Sequence, residues 1–128
     1  MLLTINKKTR KAGIAVLITY IGVLLLGQGV LKHLITRQRP CQIDQDFALL
    51  ISRPSSSSFP STHTGWSFGA ATAILLNHKK GGIIACVAAF VIAFSRLYLF
   101  MHFPTDVLAG MFIGIIMGII ANKMTQKV

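Results

Sequence analysis

Four long apolar stretches, separated by short polar clusters, organise the chain: residues 12–31, 61–77, 81–100 and 104–122. Each is close to the roughly 18 to 20 residues that a helix needs to cross the hydrocarbon of a bilayer. The pattern predicts an all-α fold, a transmembrane helical bundle of about four spans, in a single domain covering residues 1–128. The long connection, residues 37–60, lies between the first two stretches and carries Pro40, Pro54, Pro60 and a run of four serines. Small residues recur every four positions in three of the spans: Gly65, Gly69 and Ala73; Ala85, Ala89 and Ala93; Gly110, Gly114 and Gly118. Such stripes let helices approach closely in lipid. Their register also turns Asp106, four residues before Gly110, and Arg96, three after Ala93, toward the bundle interior.

Composition strengthens this picture. With 53% hydrophobic residues, a soluble domain of this length would leave large apolar patches in water. Thirteen Lys and Arg stand against three acids, Asp44, Asp46 and Asp106, for a net charge of +10. Nucleic acid is not the expected partner, because eight of the cations lie in short clusters bordering apolar runs, as membrane anchors do. Four crossings put Lys7, Lys8, Arg10, Lys11, Lys79, Lys80, Lys123 and Lys127 on one side, which predicts cytoplasmic N- and C-termini. The first run is too long, and lacks a following small-residue cleavage site, for a cleaved leader. Cys41 and Cys86 have neither metal-site nor disulfide-framework spacing.

The remaining cations gather where positive-inside bias predicts few. Lys32 and Arg39 follow the first span; a compact ammonium and a planar guanidinium fork suit a tetrahedral oxyanion. Pro60, Ser61, Thr62 and His63 open the second span, where backbone N–H groups and hydroxyls at a helix start make an anion cradle, although Pro and Ser there are equally ordinary capping chemistry. His63 has the pKa range of a proton donor to a departing oxygen. Arg96 interrupts an apolar span, a placement that costs about 2.5 to 3.5 kcal/mol on insertion scales and marks a functional site unless the side chain snorkels. Pro104 is expected to open the last helix with Asp106 in its first turn and His102 just outside, near enough for the carboxylate to orient the imidazole. A metal site of His63, His102 and Asp106 is disfavoured by three cations converging on the same place.

Together the clusters resemble the three motifs of the type-2 phosphatidic acid phosphatase superfamily, KxxxxxxRP, PSGH and SRxxxxxHxxxD. Lys32, Arg39 and Pro40 meet the first, Pro60, Ser61 and His63 the second, and Ser95, Arg96, His102 and Asp106 the third. The resemblance spans residues 32–106. It implies a membrane enzyme that hydrolyses a phosphate monoester or pyrophosphate of a lipid without metal or other cofactor. Polyprenyl pyrophosphate (undecaprenyl pyrophosphate among such lipids), phosphatidylglycerol phosphate and phosphatidic acid are the implied substrates. Lys32, Arg39, Arg96 and the Ser61–Thr62 region would hold the phosphate. His102 would attack phosphorus to form a phosphohistidine, Asp106 would support His102, and His63 would protonate the leaving group. The implied location is the cell membrane, multi-pass, with the site on the extracytoplasmic face.

Two features depart from the family pattern. Thr62 replaces the usual glycine, where a β-branched side chain either crowds the phosphate or adds a hydroxyl donor. Family members in membranes usually have six spans, so this chain corresponds to the C-terminal catalytic portion, leaving room for helices from another segment or for a homo-oligomer. The same motifs resemble vanadium-dependent haloperoxidases, but those are soluble. The competing class is a catalytically inactive membrane fragment or a scaffold that binds lipid phosphate. The apolar residues 47–51 of the long connection are expected to dip into the interface beside the site.

Overall fold

The computed structural model describes residues 7–43, 58–99 and 101–126. The proposed interfacial segment 47–51, Asp44 and Asp46 lie outside them. Among the described residues the fold is all helical. Helix α1 (Lys7–Val23) runs into a π-helical stretch, Leu24–Leu31, and a last turn, α2 (Lys32–Leu34). A short α3 (Pro40–Ile43) follows, then α4 (Thr62–Asn77), α5 (Lys79–Tyr98) and α6 (Pro104–Gln126).

Three helices are long and apolar enough to cross a membrane: Arg10–Leu34, which includes the π-helical stretch, Lys79–Tyr98 and Pro104–Gln126. The remaining predicted stretch, 61–77, is helical as expected, but at 16 residues α4 is only about 24 Å long at 1.5 Å per residue. It is the centre of the bundle, packed against α1, α5 and α6, while α5 barely touches α6. Because its neighbours cover it, α4 needs less apolar length than a lipid-facing helix.

The small-residue stripes explain how the helices come so close. Gly65 and Gly69 of α4 lie against Gly110 and Gly114 of α6, with backbone meeting backbone. A methyl group added at Gly114 would collide with the carbonyl oxygen of Gly65 and stand 2.9 Å from the amide nitrogen of Gly69. Phe68, Ala71, Ala89, Ala93 and Val107 form one core between α4, α5 and α6; Ala15, Ala73 and Ala121 form a second between α1, α4 and α6. The alanine stripe of α5 thus faces inward, as its period predicts. Its opposite face is strongly apolar and exposed, with Ile84, Phe90, Phe94 and Tyr98 all more than half accessible, the pattern of a helix solvated by lipid rather than water.

Polar contacts pin the two ends of the bundle. At one end Asn77 Nδ2 donates to Asn122 Oδ1 at 2.7 Å, joining α4 to α6. His78 follows at once and caps α5 by accepting from the Gly81 amide at 3.0 Å. The functional clusters lie at the other end.

Candidate active site

All three polar clusters meet. Lys32 ends the wide-turned part of the first helix and is buried; its Nζ donates to the carbonyl of Pro60 at 3.0 Å. Arg39, also buried, reaches the third cluster, with its guanidinium 3.4 Å from the Met101 carbonyl and 3.2 Å from Nε2 of His102. The amide of Ser61 donates to the Asp106 carbonyl at 3.1 Å, tying the second cluster to the third. Residues far apart in sequence therefore share one polar pocket at one end of an apolar bundle.

The connection between α5 and α6 holds His102 almost completely buried. Its Nδ1 lies 2.8 Å from the Ser58 carbonyl, which can only accept. A neutral ring has one N–H, so that proton is on Nδ1 and Nε2 presents a lone pair toward Arg39. Burial, reinforced by the charge of Arg39, pushes the imidazole down to about 3; the hydrogen bond to Ser58 opposes this, and Lys32 and Arg96 add to it. The ring is therefore a free base at neutral pH, as a nitrogen nucleophile must be.

Asp106 sits where the helix start was predicted, in the first turn of α6, and its carboxylate is completely buried. Its Oδ2 accepts from the Phe103 amide at 2.8 Å, the reach-back contact of an acidic residue at the third helical position. The same oxygen takes the hydroxyl of Ser58, while Oδ1 receives Arg37 at 3.1 Å. The expected pairing with His102 takes a different form. Asp106 Oδ2 stands 3.9 Å from Nδ1, beyond hydrogen-bond reach, because the Ser58 carbonyl has taken the ring proton.

His63, in the first turn of α4, is exposed and sets its ring edge against Trp66 at 5.6 Å. Arg96, Arg39 and Lys32 are the cations that act on it electrostatically, so both histidines share one positive field. The Ser61 hydroxyl is engaged with that of Thr64 at 2.8 Å rather than turned outward. Thr62 Oγ1 and Arg96 Nε are buried without a hydrogen-bond partner, two donors that a bound oxyanion could satisfy. The arrangement can hold a tetrahedral anion among Lys32, Arg39 and Arg96 and present an unprotonated nitrogen to its central atom.

The sequence profile of the PAP2 superfamily matches residues 12–128. The chain belongs to the PAP2 superfamily. Over 114 residues it is 36% identical to the undecaprenyl-diphosphatase of Sulfolobus acidocaldarius, a match covering 88% of this chain and 55% of that protein. It is 38% identical over 113 residues to phosphatidylglycerophosphatase B of Bacillus subtilis, covering 77% and 51%. The chain spans about half the length of these curated relatives. The crystal structure of a transmembrane PAP2 type phosphatidylglycerolphosphate phosphatase from Bacillus subtilis superposes with a TM-score of 0.75 at 34% identity, covering 98% of this chain and 64% of that one. Aquifex aeolicus LpxE gives 0.72 at 34% identity, with 95% and 72% covered.

Two residues of the PAP2 site have no role that the sequence pattern assigns. Arg37 stands out there only as one more cation in a basic collar, and Ser58 as the last of four serines. The structure joins them: the Ser58 amide donates to the Arg37 carbonyl at 2.8 Å, and both side chains end on Asp106. Adjacency to PAP2 motif residues, two positions before Arg39 and two before Pro60, is the signal that could have flagged them.

Proposed function

We propose that the chain is the catalytic portion of a multi-pass membrane phosphatase that removes phosphate from a lipid phosphate or pyrophosphate through a phosphohistidine on His102. The observation that carries this reading is the setting of buried His102, whose Nδ1 lies 2.8 Å from the Ser58 carbonyl and whose Nε2 lies 3.2 Å from the Arg39 guanidinium. Lys32, Arg39 and Arg96 neutralise the phosphate oxygens, with Thr62 Oγ1 as a further donor. Nε2 attacks phosphorus, forming a P–N bond as the P–O bond to the lipid breaks, and His63 delivers its proton to the departing oxygen. His63 then takes a proton from water, whose oxygen attacks phosphorus and releases His102. Positioning and charge neutralisation supply most of the rate in such transfers, and the acid-base partner about 10²- to 10⁴-fold.

The relatives' names suggest the substrates: undecaprenyl diphosphate, as for the Sulfolobus protein, or phosphatidylglycerol phosphate, as for the Bacillus one. A four-crossing arrangement with cytoplasmic termini, supported by the cation distribution, puts the pocket on the extracytoplasmic face of the cell membrane. The site residues supply cationic neutralisation themselves, so the activity is expected to need no metal. The test is phosphate release from dioctanoyl phosphatidic acid and from a polyprenyl pyrophosphate in detergent with excess chelator. Activity in the wild type that disappears in His102→Ala, with an acid-labile, alkali-stable phosphoryl group trapped in the wild type by rapid quench, supports the phosphatase. A folded wild type with no activity on either lipid would make the chain a lipid-phosphate-binding scaffold.

A further inference from the structure

Asp106 is the one buried carboxylate among the described residues, yet at 3.9 Å it makes no hydrogen bond to the ring it would be expected to orient. It accepts instead from the Ser58 hydroxyl, the Arg37 guanidinium and the Phe103 amide. The ring's Nδ1 partner is the carbonyl of that same Ser58. Ser58 is therefore held through both its ends: its side chain by Asp106, its carbonyl by His102. It is fully buried, and its amide is fixed as well, by the Arg37 carbonyl.

Arg37 closes the arrangement from the outside. One terminal nitrogen serves both Asp106 Oδ1 at 3.1 Å and Thr105 Oγ1 at 2.6 Å, while the guanidinium carbon lies 4.3 Å from the centre of the Phe103 ring. The planar fork thus clamps the segment that follows His102 in the chain. A lysine could keep the charge but not the stacking together with the shared donor.

We propose that Ser58 and Arg37 are positioning residues for His102, and that Asp106 acts on the imidazole through Ser58 rather than by a direct hydrogen bond. A carboxylate that grips a hydroxyl fixes the serine's backbone, and that carbonyl then keeps the ring proton on Nδ1 and aims Nε2 into the phosphate pocket. The relay passes through a main-chain group, so it fixes orientation without a carboxylate bonded to the ring. The relay rests on the phosphatase reading for its kinetic consequences but not for its geometry, and the two can fail separately.

The experiment uses the full chain in detergent, with dioctanoyl phosphatidic acid as substrate and histidine labelled with nitrogen-15. Only four histidines are present, and His102→Gln assigns the relevant ring. In the wild type, Nδ1 carries the proton and Nε2 does not. Ser58→Ala is expected to lower kcat by roughly 10²-fold, the scale of a small misplacement of a reacting group, with KM changed by less than about threefold, since phosphate contacts survive. Its ring nitrogens should show mixed tautomers. Ser58→Thr, which keeps the hydroxyl, should recover most of kcat and the single tautomer. Arg37→Gln should behave as Ser58→Ala does, and it decides the question if Ser58→Ala does not fold.

A proton on Nε2 in the wild type would overturn the proposal, as would wild-type kcat in both Ser58→Ala and Arg37→Gln, or a Ser58→Thr variant no better than alanine. Absence of turnover in the wild type would instead sink the phosphatase reading, and the nitrogen signals of the same variants would still decide the relay.

Discussion

Gly110 is where helix packing and chemistry meet, and alanine there should damage both. A methyl group at this position would strike the carbonyl oxygen of Ser61 and come within 3.2 Å of the Thr64 Cβ. Neither obstacle is a flexible side-chain end, so α4 and α6 must separate by on the order of 1 Å to restore contacts near 3.5 Å. Overpacking of this kind costs about 1 to 3 kcal/mol, and the better helix propensity of alanine returns about 1 kcal/mol at most. The net loss is then up to about 2 kcal/mol by the same scales. Because the Ser61 amide is bonded to the Asp106 carbonyl, the displacement falls within the pocket, and a shift of this size costs about 10²-fold in turnover. Gly114→Ala meets the Gly65 carbonyl one turn farther from the site, so it should lose similar stability and less activity. Gly22→Ala is the control: its obstacle is the terminal methyl of Met117, with Sδ 3.6 Å away, which can swing aside. Thermal unfolding in detergent, followed by the emission of the single tryptophan, Trp66, together with phosphate release, measures both effects. A Gly110→Ala protein as stable as Gly22→Ala and turning over at the wild-type rate would refute the reasoning.

Three further outcomes follow from the polar pocket. The His102 ring falls from 6.5 to about 3 on folding, so between these values the unfolded chain binds a proton that the folded one does not; stability is complete above about pH 6.5 and declines as pH falls toward 3, and His102→Gln should flatten that part of a denaturation-versus-pH curve. Thr62→Val removes a buried hydroxyl without a partner and should stabilise the ligand-free protein by about 1 kcal/mol in a melting experiment while raising KM about tenfold; unchanged KM would show that Thr62 is not a phosphate donor. Arg96→Lys keeps a charge but loses the fork whose Nε is buried without a partner, and orthovanadate should inhibit this variant at least about tenfold more weakly than wild type.

Periodicity makes the helices and their facing sides legible. Glycine and alanine every fourth residue identify the seams on α4, α5 and α6, and Pro104 followed by Asp106 identifies the start of α6, because close packing and capping are local requirements. Lys32, Arg39, His63, Arg96, His102 and Asp106 are legible for the opposite reason: ionisable groups beside apolar spans have few structural explanations. What the string cannot convey is which acceptor wins a proton. Spacing brings Asp106 within reach of His102, but the competing carbonyl of Ser58 arrives from 44 residues away, across a connection whose path no local pattern encodes. The central position of α4 is hidden in the same way. A 16-residue apolar stretch does not reveal by itself that helices will cover it on several sides.

The polar pocket contradicts several rules that the rest of the chain obeys. Lys32 and Arg39 are buried close enough for each to act on the other, Arg96 and Thr62 hold buried donors without partners, and His102 is deprived of its usual basicity. The buried cations and orphaned donors oppose folding at neutral pH, with unsatisfied buried polar groups alone costing about 1 to 3 kcal/mol apiece, and the depressed His102 adds its cost as pH falls below 6.5. A single kind of occupant relieves them together: a small, multiply charged oxyanion neutralises the cations, accepts from the orphaned donors and offers an electrophilic centre to Nε2. Water could satisfy the donors but not the charge, and a carboxylate brings one negative charge where three fixed cations converge. The glycine seam between α4 and α6 ends on this costly site, with Gly110 against the Ser61 carbonyl, which is why a packing variant such as Gly110→Ala is expected to reach the polar cluster.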